Sequence, residues 1–152
     1  MGKIKESWMR EGIAEYRKRL SASTQLVITE VAEEPAPATL SDKEKQQLLH
    51  REGERLIKAI PSDSYCCALT IQGKAYTSEG LAKKLADLAT NGSSKITFII
   101  GSSYGLGSNV LAKADEQLSL SNLTYPHQLT RLILMEQLYR AISINQGTAY
   151  HK

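Results

Sequence analysis

The chain has 152 residues, 41% of them hydrophobic and 23% charged, and it carries a formal net charge of +3. These fractions are close to those of globular proteins, so they exclude a disordered or fibrous chain and predict one domain over residues 1–152. The small net charge means that any contact with nucleic acid has to come from a local basic patch.

The cellular location is predicted from the apolar runs and the cysteines. The longest apolar runs are only as long as strands, so we expect no membrane span. Cys66 and Cys67 are adjacent, which suits neither an ordinary disulfide nor a metal site. We therefore expect buried thiols in a reducing, cytoplasmic protein that binds no metal and no membrane.

Two amphipathic helices are predicted in the first sixty residues. Ser7 is the candidate N-cap of the first helix. The apolar face of this helix is formed by Met9, Ile13, Tyr16 and Leu20. Its opposite face is basic and is either a solvated surface or an RNA patch. The second helix begins at a capping box of Ser41 and Glu44 and runs to about Ala59, and the β-rich segment Gln25–Val31 before it predicts a strand.

Two later segments predict buried parallel strands, because Tyr65–Ile71 and Lys95–Ile100 are nearly continuous apolar runs. Gln72-Gly73 predicts a turn at the end of the first, and Thr77 or Ser78 is the candidate cap of the next helix. Strands that alternate with helices in this way predict an α/β fold with a mainly parallel sheet flanked by helices.

The glycine-rich segment Gly101–Gly107, with Ser108 as candidate helix cap, follows the second strand. Ligands in open α/β sheets bind outside the carboxyl ends of the strands, and glycine allows a close approach of the backbone. The spacing G-x-x-x-G-x-G is neither a dinucleotide fingerprint nor a P-loop. The segment is therefore either a ligand-binding loop or a tight turn between a strand and a helix.

The segment Leu118–Ala141 passes through Pro126, the candidate first helical residue, into a long apolar helix. His127 and Arg131 lie four residues apart, so they share a face near the positive end of that helix. This face is either a site for a polar or anionic ligand or the ordinary start of a core helix. Further apolar positions, which we expect to form a dimer interface, are Leu132, Ile133, Met135 and Tyr139.

The last three residues, Tyr150, His151 and Lys152, offer an aromatic ring, an imidazole and a cation. Such a set can stack on an unpaired base and contact a phosphate, although most chain ends are simply frayed.

Three segments together resemble the RlmH family: FIIGSSYGL, LSLSNLTYPHQLTRLILMEQLYRA and the terminal YHK. Members of this family are small SPOUT-class methyltransferases that methylate the ring N3 of a pseudouridine in large-subunit (23S) ribosomal RNA. The resemblance covers nearly the whole chain. It implies an α/β fold with a C-terminal trefoil knot, a homodimer, and S-adenosylmethionine bound in the knot.

The resemblance also implies roles for individual residues. The expected cofactor contacts are Leu69, Gly101, Leu120, Ser121, Asn122, Leu123, Thr124 and Tyr125. The tail residues Tyr150, His151 and Lys152 would hold the ribosomal RNA. For methyl transfer, the candidates that could accept the proton or stabilise the anion are His127, Arg131 and His151. No metal is required.

Two departures from the family pattern stand out. Members usually have a short apolar strand before the Gly-Lys that is Gly2-Lys3 here, so we expect the first strand to be missing. They also commonly have Gly-Gly where Gly101-Ser102 stands, so Ser102 would be strained if that position required a positive φ. These departures leave open an alternative function, a ribosome-associated RNA-binding module with the same fold and impaired catalysis.

Overall fold

The computed structural model describes residues 1–151. Along the chain its elements are α1 (Ser7–Leu20), α2 (Asp42–Ala59), β1 (Tyr65–Ala75), α3 (Ser78–Thr90), β2 (Ile96–Ile99), α4 (Ser108–Lys113), β3 (Glu116–Ser119) and α5 (His127–Asn145). The strands form a parallel sheet in the order β2-β1-β3. The predicted α/β class with a parallel sheet flanked by helices is confirmed.

The central strand β1 separates two apolar layers, because successive side chains of a strand point to opposite faces. Cys66 packs with Leu56 of α2 and Val110 of α4 on one face. Cys67 packs with Leu81 of α3 and Ala141 of α5 on the other. Both thiols are buried and free, and burial raises the pKa of Cys67 to about 12.

The helix α5 lies between α3 and α1. Leu134, Met135 and Leu138 of α5 form a buried cluster with Ile13 and Leu20 of α1. Of the four positions expected at a dimer interface, Met135 is buried within one chain, and the other three are half-buried and keep part of their apolar surface exposed. The large apolar side chains that the structure exposes lie elsewhere, at Trp8, Val27, Ile71 and Leu123.

The predicted strand Gln25–Val31 is wrong, since this segment has no regular secondary structure and is not part of the sheet. Its side chains alternate as in a strand: Leu26 and Ile28 pack against the core, whereas Val27 is 73% exposed. A strand also needs a hydrogen-bonded neighbour. The backbone contact found is a single bond from the Gly2 amide to the Val31 carbonyl, 3.0 Å long.

A predicted helix cap is confirmed where its side chain accepts a hydrogen bond from a backbone amide of the helix. The capping box of Ser41 and Glu44 is confirmed, and the Thr77 side chain caps α3. Ser7 and Ser108 are instead the first helical residues, and neither helix has a side-chain cap. Pro126 is the cap position of α5 rather than its first residue.

The predicted turn at Gln72-Gly73 is wrong, because β1 continues to Ala75. The strand contains an irregularity instead: Leu118 of β3 pairs with both Leu69 and Lys74 of β1. The four residues between these two pairings are not paired with β3, and the pairing resumes after them. A Cβ atom at Gly73 would lie 2.6 Å from the Leu118 carbonyl carbon, so only glycine fits this crossing.

We predict that Gly73→Ala lowers the free energy of unfolding by about 2 kcal/mol or more, because the added methyl group meets backbone that cannot move away. The matched control is Gly12→Ala, whose Cβ would meet only the flexible end of Leu132, 3.1 Å away. Denaturation in urea should give a large loss for the first variant and little change for the second. Equal stabilities would contradict the prediction.

Candidate functional site

A cleft of about 400 Å³ opens at the carboxyl ends of the strands, where the three segments that follow or interrupt them meet. The first wall comes from Leu69–Gln72 in the irregular part of β1, and the second from Ile100–Leu106 after β2. The third wall follows β3 and includes Leu120, Ser121 and Leu123–Tyr125. The parallel sheet brings these segments together because its strands all end at one edge.

The second wall is a tight loop in which Gly101 faces Gly105. A Cβ atom at Gly101 would clash with the carbonyl oxygen of Gly105, and Gly105 itself has a φ of 95°. Both glycines are therefore required by the loop's own backbone, the first by close approach and the second by its left-handed conformation.

Ser102 is not strained, because its backbone does not have the positive φ on which strain at this position would depend. Within the described residues, no residue other than glycine has a positive φ. The Ser102 hydroxyl is buried and donates a 2.7 Å hydrogen bond to Oε2 of Glu52 in α2. The serine at this position is therefore held by a side chain of another element.

The third wall is held by bonds from its own serines. The Ser119 hydroxyl donates to the Ser121 carbonyl at 3.0 Å, and the Ser121 hydroxyl accepts from the Leu123 amide at 3.0 Å. These bonds fold the backbone between β3 and α5 toward the cleft. They leave the side chain of Leu123 68% exposed at its rim.

Seven of the eight expected cofactor contacts line the cleft, and the eighth, Asn122, does not. The resemblance assigns no contact to the other lining residues, which are Thr70–Gln72, Ile100, Ser102–Leu106, Leu111, Leu118 and Thr130. Ser102–Leu106 lie in the candidate ligand-binding loop that the sequence predicts, and Thr70–Gln72 lie at the predicted carboxyl end of the first buried strand, where a ligand is expected. Leu111 and Thr130 have no such signal in the sequence.

His127 begins α5 beside the cleft but does not line it. Its Nε2 atom lies 3.1 Å from Oε1 of Glu33, and four-fifths of its side chain is buried. Burial lowers the pKa of His127 below 6.5, and although the Glu33 carboxylate acts in the opposite direction, it does not reverse the shift. The neutral ring would donate from Nε2 to Glu33, which leaves Nδ1 able to accept a proton.

Arg131 is buried one turn further along α5 and makes three hydrogen bonds within the chain. Its guanidinium donates to Oε1 of Glu30 at 2.8 Å. It also donates to the carbonyls of Met1 and Gly2, at 3.2 and 2.9 Å. Arg131 thus fastens the first residues of the chain to α5.

The tail folds back along α5, away from the cleft wall of its own chain. The Tyr150 ring packs edge-on against Tyr139, and its hydroxyl donates to Glu136 at 3.2 Å. His151 lies 2.9 Å from Glu79 of α3 and 3.3 Å from Arg140. Lys152 lies outside the described residues. One chain therefore does not bring His151 together with His127 and Arg131.

A family model described as "Predicted SPOUT methyltransferase" matches residues 1–151. Three relatives carry the name ribosomal RNA large subunit methyltransferase H, from Listeria monocytogenes, Shouchella clausii and Listeria welshimeri. They are 51%, 51% and 50% identical to this chain over all of its 152 residues, which align with 96% of each relative. The chain belongs to the SPOUT methyltransferases of the RlmH family.

Proteins of this family are methyltransferases, and SPOUT enzymes generally depend on S-adenosylmethionine. Over residues 1–151 of this RlmH member, no helix combines the length and apolar character needed to cross a membrane. In the same range, no three His, Cys, Asp or Glu side chains are grouped to hold a metal ion.

We predict that His127 titrates below the 6.5 of an ordinary histidine. The unfolded chain then takes up this proton at a higher pH than the folded chain. The contribution of His127 to stability is therefore complete above 6.5 and lost as the pH falls through the folded pKa. An NMR titration of the histidine ring protons checks this, with the signal identified by its absence in His127→Gln. A midpoint at or above 6.5 would mean that the ion pair with Glu33 outweighs burial.

Proposed function

We propose that this protein transfers a methyl group from S-adenosylmethionine to the ring N3 of a pseudouridine in large-subunit (23S) ribosomal RNA. The observation that carries the proposal is the cleft, which is lined by seven of the eight residues that family resemblance assigns to the cofactor. The names of the relatives support ribosomal RNA as the substrate.

The residues of the cleft fit this cofactor. A volume of about 400 Å³ is in the range of small-molecule sites, and Leu69 and Leu120 offer apolar surface to an adenine ring. The glycine loop and the segment Leu120–Tyr125 offer backbone groups for its polar atoms. We propose that these residues hold S-adenosylmethionine, which supplies an electrophilic methyl group when bound.

The acceptor nitrogen has to lose its proton as it becomes methylated, so the site needs a proton acceptor. We propose His127 or His151 for this role, directly or through a water molecule. His127 suits it because its lowered pKa keeps the ring neutral near pH 7. Arg131 is proposed to stabilise the developing anion through its charge, since both of its terminal nitrogens already donate hydrogen bonds within the chain.

We propose that the protein works as a homodimer and that the tail serves the partner's cleft. Tyr150 and His151 contact α3 and α5 of their own chain and do not line its cleft, so a contact with bound RNA near the cofactor requires a second chain. Exposed apolar side chains at the rim, Ile71 and Leu123, offer a surface for that chain to cover.

The knot and the missing first strand remain proposals about the fold. The knot is proposed on the family resemblance, which extends over residues 1–151. The proposal of a missing strand is supported by the sheet order. Within residues 1–151, β2 lies at one edge of the sheet and is paired with β1 alone. A strand beside β2 would also give Gln25–Val31 the partner that it lacks. We propose a single cytoplasmic domain over residues 1–152.

We predict that Gly101→Ala weakens the binding of S-adenosylmethionine at least about tenfold, because the new methyl group displaces Gly105 in the cleft wall. Calorimetry with the cofactor measures the affinity, and circular dichroism checks the fold. Gly12→Ala, on α1, is the control and should bind like the parent. Unchanged affinity in Gly101→Ala would place the cofactor elsewhere. If the parent itself shows no binding, the proposed function is wrong.

We predict that removing Tyr150–Lys152 leaves cofactor affinity nearly unchanged and lowers the methylation of ribosomes at least roughly a hundredfold, because the substrate loses its positioning contacts. Tyr150→Phe is the matched control, since it keeps the ring on Tyr139 and removes only the hydroxyl. Methyl incorporation into ribosomes from a strain lacking the enzyme measures the effect. Undiminished methylation would reject the role of the tail.

A further inference from the structure

Glu52, in the middle of α2, places a carboxylate where a charged group is unusual. It is 2% exposed, and among residues 1–151 it is the one buried acidic side chain. Burying a charged carboxylate is costly, and a well-packed apolar residue usually stabilises a core as well or better. Its position is therefore not explained by stability alone.

Both carboxylate oxygens of Glu52 reach segments outside α2. Oε2 accepts the 2.7 Å hydrogen bond from the Ser102 hydroxyl in the second wall of the cleft. Oε1 accepts a 2.9 Å bond from the amide of Glu34, in the loop before α2. Glu34 in turn binds Arg51 and Arg55, the neighbours of Glu52 on α2. One oxygen of the carboxylate is thus held by the loop before α2, and the other oxygen holds the cleft loop through Ser102.

Ser102 passes this restraint to the backbone that faces the cleft. Its hydroxyl also accepts from the Tyr104 amide at 3.4 Å, and its carbonyl accepts from the Gly105 amide at 3.0 Å. Ser102, Tyr104 and Gly105 all line the cleft. Gly105 has a positive φ and no side chain to restrict its backbone, so these two hydrogen bonds help to define the shape of the turn.

We propose that Glu52 and Ser102 are positioning residues, a buried pair that holds the glycine loop in the shape that the cofactor requires before it binds. The inference rests on the proposed function, because it assigns the pair a role in binding S-adenosylmethionine. A loop that is already fixed loses less conformational entropy when the cofactor binds, and the affinity is therefore higher.

The pair works through hydrogen bonds rather than through charge. In Glu52→Gln the amide oxygen can accept from the Glu34 amide while the amide nitrogen donates to the Ser102 hydroxyl, so both contacts survive. Ser102→Ala leaves Oε2 without its donor, and Glu52→Ala removes the link altogether. The conservative variant should therefore behave like the parent, whereas both alanine variants release the loop.

Calorimetry with S-adenosylmethionine tests the pair in the full-length protein. We expect Ser102→Ala and Glu52→Ala to weaken binding about tenfold or more, and Glu52→Gln to stay within about threefold of the parent. The double alanine variant should bind like Glu52→Ala, because the two residues act as one unit. Ser143→Ala, a buried serine of α5 outside the cleft, is the control for general destabilisation.

Amide hydrogen exchange in the protein without cofactor gives a second readout. The Gly105 amide should exchange faster in Ser102→Ala than in the parent or in Ser143→Ala. If the parent binds the cofactor and Ser102→Ala binds equally well, the positioning role is wrong and the proposed function stands. If every variant, including Ser143→Ala, loses affinity in step with its unfolding midpoint, the pair is merely structural. Absence of binding by the parent would overturn the proposed function and the inference together.

Discussion

The parallel pairing of β1 with both of its neighbours determines where a ligand can bind. Since the strands run in one direction, the segments that follow β2 and β3 emerge at the same edge of the sheet. The irregularity of β1 adds Thr70–Gln72 as the remaining wall. A glycine at position 73 is part of this arrangement, because its missing side chain lets β1 pass close to the backbone of Leu118. Packing on both faces of the sheet then holds the three walls together.

Charges near the start of the chain are arranged around α5 rather than toward the cleft. Arg131 neutralises Glu30 and binds two backbone carbonyls, while Glu33 pairs with His127. The amino group of Met1 donates to the carbonyl of Ile100, the residue that leads into the glycine loop. A change in this network would therefore reach the second wall of the cleft through the backbone, without any side chain of the network lining the cleft.

The sequence predicted the elements that have local signatures. The apolar runs of β1 and β2, the capping box of Ser41 and Glu44 and the cap at Thr77 needed no knowledge of distant residues. It failed where a distant partner decides the outcome. Gln25–Val31 has the side-chain alternation of a strand but no paired neighbour, and β3 is only four residues long, three of them polar. Gln72-Gly73 has the composition of a turn, yet β1 continues past it and resumes its pairing with β3 at Lys74.

Some parts of the candidate site could likewise be predicted from the sequence, and others could not. Family resemblance located most of the cleft, whereas the link from Glu52 to Ser102 joins residues fifty positions apart and carries no signature in either segment. The sequence also left open whether Ser102 is strained, because the backbone angle at that position depends on contacts with distant residues. The engagement of Arg131 by the first residues of the chain also depends on long-range packing.

The two buried cysteines make this protein convenient to label. Alkylating reagents attack the thiolate, and burial both raises the pKa of Cys67 to about 12 and shields Cys66 and Cys67 from reagents. A cysteine introduced on the surface, for instance in place of Thr148 before the tail, would react with a maleimide dye far faster than either natural thiol. Fluorophores attached there could then test whether the tails of two chains come close to each other, without any need to remove the native cysteines.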